Sequence, residues 1–235
     1  MTDMLNDKSQ KFRHEFKYVV SAGEIELIKN RIAPIMKTDS YADPNTGYVV
    51  RSLYFDDYYN RCFYENQNGT DPREKYRIRI YNASSERILL ECKRKERGKT
   101  LKTSCLLTVE QAQSIMQGKP LSDFDNLEPL LKKFTLLMLT DNLRPVIIVE
   151  YRRIPFIYEN GNVRITLDTD ISSSNSIDKF LEEQIAKRPV MPTGKHLLEV
   201  KYDEYLPDHI YQGLQLENLS KTAYSKYYMS RKYTL

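Results

Sequence analysis

The sequence predicts an α+β protein built on an antiparallel β-barrel with peripheral helices. Three observations predict it. About eight short segments alternate apolar and polar residues with the period of two that strands require. Three of the breaks between neighbouring segments, at 82–87, 96–99 and 155–161, are turn-length and carry Gly, Asn or Ser. In six of these segments the polar face is charged, with Arg and Lys in the majority and an acid on several.

In chain order, residues 12–20 alternate charged and apolar-aromatic side chains and read as the first strand. Ser21 and Glu24 have the spacing of a capping box, and Ile25, Ile28, Ile32 and Ile35 follow with a helical period. Strands are expected at 48–55, 75–81, 88–95 and 100–107, with turns at 81–85 and at Gly98. A helical excursion follows over about 108–142. Thr108 and Gln111 cap its first piece, and Gly118 with Pro120 ends that piece. Strands resume at 145–154 and 162–168, turning at Gly161. Residues 177–186 read as a short helix capped by Ser176, 196–202 as the last strand, and 208–219 and 221–231 as closing helices. No repeat or low-complexity linker divides the chain. One domain is therefore expected over 12–235, behind a polar, flexible segment at 1–11.

Bulk properties exclude several classes. Lys and Arg number 36 against 32 Asp and Glu, a balance that gives no general nucleic-acid signature. Three cysteines without paired spacing argue against a disulfide framework or a zinc knuckle, and for a reducing, cytoplasmic compartment. The N-terminal residues have no signal-peptide pattern, and no apolar run approaches the ~20 residues of a membrane helix. Direct membrane insertion is not expected. The three histidines form no ligand cluster.

Residues two apart in a strand share a face. This places Arg13, Glu15 and Lys17 together, and Lys75, Arg77, Arg79 and Tyr81 together. The same rule groups Glu91, Lys93 and Lys95, then Tyr151 with Arg153, then Arg164, Thr166 and Asp168, and finally Glu199, Lys201 and Asp203. For a single strand, a charged face turned to water is the ordinary explanation. Six such faces in one sheet, poor in Ser and Gln, point instead to the interior of a closed barrel. So many enclosed cations need an anionic partner. Phosphate suits them, because arginine forks grip its oxygens bidentately and lysine adds point charge. Carboxylates among the cations make sense where a divalent metal bridges carboxylate and phosphate. No glycine-rich phosphate loop is present, but phosphoryl transfer rests mainly on positioning and charge neutralisation.

The segments RHEFKYVV, VVRSLYFDD, EKYRIRIY, LLECKRK, VIIVEYRRIPF, VRITLDTDI, LLEVKYDEYLP and TAYSKYYMSRKY occur in this order across almost the whole chain. Together they resemble the VTC domain, the polyphosphate polymerase branch of the triphosphate tunnel metalloenzymes, whose relatives include the CYTH-type triphosphatases. The resemblance implies a tunnel barrel that binds a nucleoside triphosphate or polyphosphate with Mn²⁺ or Mg²⁺. In the polymerase branch, the terminal phosphate of ATP is added to a growing chain. By position, the resemblance implies that Lys17, Lys93 and Lys102 contact phosphate and that Arg77 and Arg79 are the paired triphosphate arginines. Tyr151 and Arg153 match the family's Tyr-x-Arg, Arg164 the arginine of its VRI segment, Glu199 the metal-binding glutamate, and Lys226 the helix lysine near the transfer centre.

Lys201 shares the face of Glu199 and is a further candidate for phosphate. Glu15 and Glu91 are further candidates for metal, with orientation of neighbouring cations as the alternative. Of the triphosphatases' ExExK motif only Glu15 and Lys17 are present, because Arg13 stands where the first Glu would be. Triphosphate hydrolysis therefore stays beside polyphosphate synthesis as a reading, and a non-catalytic polyphosphate-binding module is the third. The sequence shows neither the SPX domain nor the membrane helices of the fungal polymerases, so a separate membrane partner stays open.

Overall fold

The computed structural model describes residues 12–232; the expected flexible segment at 1–11 lies outside them. The chain forms β1 (His14–Ser21), α1 (Ala22–Ile32), β2 (Lys37–Thr38), β3 (Tyr48–Asp56), α2 (Arg61–Asn68), β4 (Arg73–Tyr81), β5 (Ser84–Glu96) and β6 (Lys99–Leu107). It continues with α3 (Val109–Met116), α4 (Pro129–Thr140), β7 (Arg144–Tyr158), β8 (Val163–Ser174), β9 (Arg188–Pro189), β10 (Lys195–Tyr202), α5 (Asp208–Leu214) and α6 (Lys226–Arg231).

One antiparallel sheet runs in the order β1-β10-β8-β7-β3-β4-β5-β6. It curls until its two end strands meet. Arg13 and Thr100 close the seam by exchanging two backbone hydrogen bonds of 3.1 Å. Further along, β1 diverges from β6, and its free edge is taken by the segment before α6. Thr222 N donates to Lys17 O at 2.9 Å, and Lys221 bridges Tyr18. The hairpin between β4 and β5 turns on Asn82 and Ala83, both left-handed (φ 51° and 53°), as a two-residue turn matched to strand twist requires.

The helices cover the outside of the curl. Ile78, Ile80, Ile88 and Leu90 pack against Ala112 and Ile115 of α3 and Phe134 and Met138 of α4. Ile25, Ile28 and Ile32 of α1 and Ile210 and Leu214 of α5 cover Tyr18, Val20, Ile165 and Val200. Each such buried Ile, Leu or Phe contributes roughly 1.5–3 kcal/mol, which is what holds a sheet with a charged interior. A third cluster includes the alternate β3 and β7 positions Val50, Ile147 and Val149, which share the inner face with Arg153. The interior is therefore apolar over part of its length and charged over the rest.

Both expected capping boxes form, Ser21 with Glu24 and Thr108 with Gln111. Other expectations need correction. Ile35 lies beyond the end of α1 at Ile32. Residues 177–186 are not a helix; only Ile177–Lys179 makes a 3-10 turn. The reason is Arg51, fully buried, whose guanidinium takes the backbone carbonyls of Phe180 (2.9 Å), Glu182 and Glu183 (3.0 Å). Its Nε bonds Glu150 at 2.6 Å. Carbonyls turned to an arginine fork cannot serve a helical ladder. The last helix begins at Lys226, not 221, because 221–222 pair with β1 instead. Sequence reasoning also missed α2, whose composition is polar. Asp56 fixes its start, accepting Cys62 N at 2.8 Å and Phe63 N at 3.0 Å. Among the described residues, no helix is long and apolar enough to cross a membrane.

Candidate active site

The charged interior encloses a cavity of about 610 Å³. Eleven Lys and Arg side chains line it against three Asp and Glu, a formal surplus of eight positive charges. All ten of the Lys, Arg and Tyr candidates from the sequence line this one cavity: Lys17, Arg77, Arg79, Lys93, Lys102, Tyr151, Arg153, Arg164, Lys201 and Lys226. Glu15 and Glu199 line it too. Strand alternation puts all of these but Lys226 on one face, and the curl turns that face inward; Lys226 enters from the start of α6.

Glu91 sits behind the wall, 1% exposed. Its Oε2 receives Arg77 Nε and Nη2, both at 2.7 Å, and its Oε1 receives Lys102 at 3.0 Å. Burial would raise its pKa, but Arg79, Arg77 and Lys102 hold it well below the usual carboxylate range. With both oxygens occupied, Glu91 has the geometry of a counter-ion that aims Arg77. Arg77 Nη1 reaches Tyr54 OH at 3.0 Å. Arg79 is less committed. Its Nε meets Ser52 Oγ at 3.2 Å, its Nη2 meets Tyr151 OH at 3.3 Å, and its Nη1 lies 3.6 Å from Glu91.

Asp168 organises the opposite wall. It lies inside β8, which continues to Ser174. It receives Arg153 in a two-pronged pair of 2.7 Å bonds, and Lys226 Nζ stands 2.6 Å from its Oδ2. Lys226 also meets Glu199 Oε1 at 2.7 Å and lies 4.6 Å from the centre of the Tyr151 ring. Burial opposes the charge on Lys226, but Asp168 and Glu199 more than offset that and raise its pKa. Its helix is seated by Tyr227, whose hydroxyl donates to Asp56. Lys75, which the family match did not single out, supports the same segment through Ser225 Oγ at 3.1 Å. The alternation pattern had already placed Lys75 on this face.

Glu199 Oε2 takes Lys201 at 2.7 Å and lies 3.4 Å from Arg153 Nη2. Glu15 takes Lys93 on both oxygens at 2.7 Å. Burial would raise both carboxyl groups; for Glu199 the ammonium groups of Lys201, Lys226 and Lys17, and for Glu15 those of Lys93, Lys17 and Lys201, hold them well below the normal range. For Lys93 burial wins over Glu15 and pushes the ammonium down to about 7, although 31% of its side chain still faces cavity water. Arg164 is held toward the cavity by Asp39 at 2.9 Å and Tyr48 OH at 3.1 Å.

Among the described residues, no group of three or more His, Cys, Asp or Glu side chains converges on a metal position. Two carboxylates do converge, since the Lys17 ammonium lies 3.3 Å from Glu15 and 3.8 Å from Glu199. Mg²⁺-type ions commonly use only one or two protein carboxylates when phosphate oxygens and water complete the shell. The donor set fits a metal bridged to phosphate.

This geometry agrees with the comparisons to known proteins. The VTC domain family model matches residues 12–235. The chain belongs to the VTC domain family. Solved structures share the fold at low identity. A Vibrio parahaemolyticus protein described as a candidate adenylate cyclase superposes with a TM-score of 0.53 at 12% identity, covering 94% of this chain and 98% of its own. A Hippeastrum adenylyl cyclase candidate, described as having a dominant triphosphatase activity, gives 0.50 at 12% identity over 96% and 97% of the two chains. The VTC chain thus has the triphosphate tunnel fold.

Proposed function

We propose that this VTC domain is a metal-dependent phosphotransferase that extends polyphosphate with the terminal phosphate of ATP. The observation that carries the reading is the enclosed surplus of eight positive charges, with the carboxylates of Glu15 and Glu199 among them on its wall. A triphosphate has the charge and length for such a cavity, and burying these cations without it is costly. Arg77 and Arg79 on one wall and Arg153 on the other would hold phosphate oxygens, with Lys93, Lys102, Lys201 and Arg164 adding charge along the chain. Tyr151 faces the same space beneath Arg79 and Lys226. Lys226, fixed by Asp168 and Glu199, would neutralise charge where the terminal phosphoryl group passes from ATP to the end of the acceptor chain, leaving ADP. Mn²⁺ or Mg²⁺, held by Glu199 and Glu15 and by phosphate, would add further neutralisation.

Hydrolysis of a triphosphate is the second reading. The Hippeastrum protein of the same fold, with its triphosphatase activity, favours it. One incubation separates the readings. Purified protein is mixed with ATP and Mn²⁺, and the products are resolved by gel and by phosphate release. Long chains with ADP support transfer; free phosphate without chains supports hydrolysis. Binding of polyphosphate with no turnover under any metal or primer would leave a non-catalytic binding module.

A further inference from the structure

The Lys17 ammonium has three oxygen neighbours from three parts of the chain. Glu15 Oε1 of β1 is at 3.3 Å, Glu199 Oε1 of β10 at 3.8 Å, and the Tyr224 backbone carbonyl at 3.0 Å. Two carboxylates and a carbonyl are hard oxygen donors, the set that Mg²⁺ and Mn²⁺ prefer. A positive charge already occupies the point where they meet. Its contacts with the two carboxylates are longer than the 2.7 Å bonds Lys93 and Lys226 make to the same residues. Lys17 is therefore the cation of this group most easily displaced from them.

We infer that Lys17 is a built-in stand-in for a divalent ion, and that the ion replaces its ammonium between Glu15, Glu199 and the Tyr224 carbonyl. The inference rests on the proposed phosphate chemistry and extends it in two ways. It adds the Tyr224 carbonyl as a ligand. It also gives the ion a second task, because Tyr224 belongs to the segment that fills the β1 seam and leads into α6. An ion at this point would tie that segment, and with it Lys226, to the barrel. The displaced Lys17 ammonium would be free to meet phosphate in the cavity it already lines. Metal entry and phosphate capture would then be linked through one side chain.

The test uses Mn²⁺ alone, with free ion counted by electron paramagnetic resonance and no nucleotide present. Lys17→Met removes the competing charge and should tighten Mn²⁺ binding at least tenfold over the wild type. Lys17→Gln, which keeps a polar head if the first variant folds poorly, should tighten it as well. Adding Glu15→Gln to either variant should reverse the gain. Mn²⁺ should also slow amide exchange over 222–231 in the wild type. Unchanged or weaker Mn²⁺ binding in the Lys17 variants overturns the exchange, as does a gain that survives Glu15→Gln. The underlying phosphate reading is tested separately by wild-type protection with tripolyphosphate, so the two failures are distinguishable.

Discussion

Replacing Arg79 with Met separates a phosphate ligand from a structural cation. In the free protein Arg79 makes bonds to two neutral hydroxyl groups, Ser52 and Tyr151, and a contact of 3.6 Å to Glu91. Glu91 does not depend on it, since Arg77 and Lys102 hold both of its oxygens at 2.7 and 3.0 Å. Loss of two long neutral hydrogen bonds costs about 1–2 kcal/mol, partly offset because the apolar Met stem still packs and repulsion from Arg77 disappears. At about 2–4 °C per kcal/mol for a chain of this size, the unliganded Tm should fall by no more than roughly 5 °C. The liganded protein should respond differently. Tripolyphosphate at 100 times its Kd stabilises the wild type by about 2.7 kcal/mol, or roughly 5–10 °C. A charge-assisted phosphate contact is worth about 1.5–3 kcal/mol, so the variant's Kd should rise by roughly 10–150-fold. With a rise of about 30-fold, the same ligand concentration leaves only about 0.9 kcal/mol of protection, roughly 2–3 °C. The assay is thermal unfolding of both proteins with and without tripolyphosphate, in low and high salt. A full wild-type shift in Arg79→Met would refute the placement of triphosphate against this wall.

Asp168→Asn removes the anion shared by Arg153 and Lys226 and leaves two buried cations without it. Breaking such a pair costs about 3–5 kcal/mol, so the unliganded Tm should drop by on the order of 10 °C, as read by calorimetry. Triphosphate binding should respond to pH through Lys93. Its ammonium has a pKa of about 7 in the free protein, and a bound phosphate chain would raise it. Binding then takes up a proton, and affinity should weaken from pH 6 to pH 9; calorimetry in buffers of different ionisation heat measures the uptake. Lys93→Arg, charged throughout, should flatten that profile. Glu15, Glu91, Asp168 and Glu199 all have folded pKa values below their ordinary ones. The unfolded chain therefore binds protons first, and the stability these groups give is present at neutral pH and lost as pH falls through the carboxylate range. Acid unfolding monitored by circular dichroism should begin below about pH 5. Arg51→Leu should release residues 177–187 without touching the cavity, visible as new protease cleavage there while tripolyphosphate affinity is retained.

Much of the barrel and its lining was legible in the sequence because strand alternation is local. Lys75, Arg77 and Arg79 must share a face whatever surrounds them, and so must Glu199 and Lys201. The capping boxes at Ser21 and Thr108 were legible for the same reason, since partners three residues apart meet by helix geometry alone. Elements held by distant partners were not. The Arg51 fork, set in β3, captures carbonyls some 130 residues further on and unmakes the helix that local period suggests. Asp56 starts a helix whose own residues carry little apolar pattern, and β1 takes 221–222 as an edge partner.

The same division holds inside the site. By itself the sequence determined that many cations and a few acids lie on one face of the sheet, because backbone geometry fixes the direction of each side chain. Only the tertiary structure decided which acid answers which cation. Glu91 is sealed beneath Arg77, Asp168 joins Arg153 to Lys226, and Glu15 and Glu199 face one another across Lys17. Those pairings depend on how far the sheet curls and where its seam closes, and both are set by contacts between segments remote in sequence.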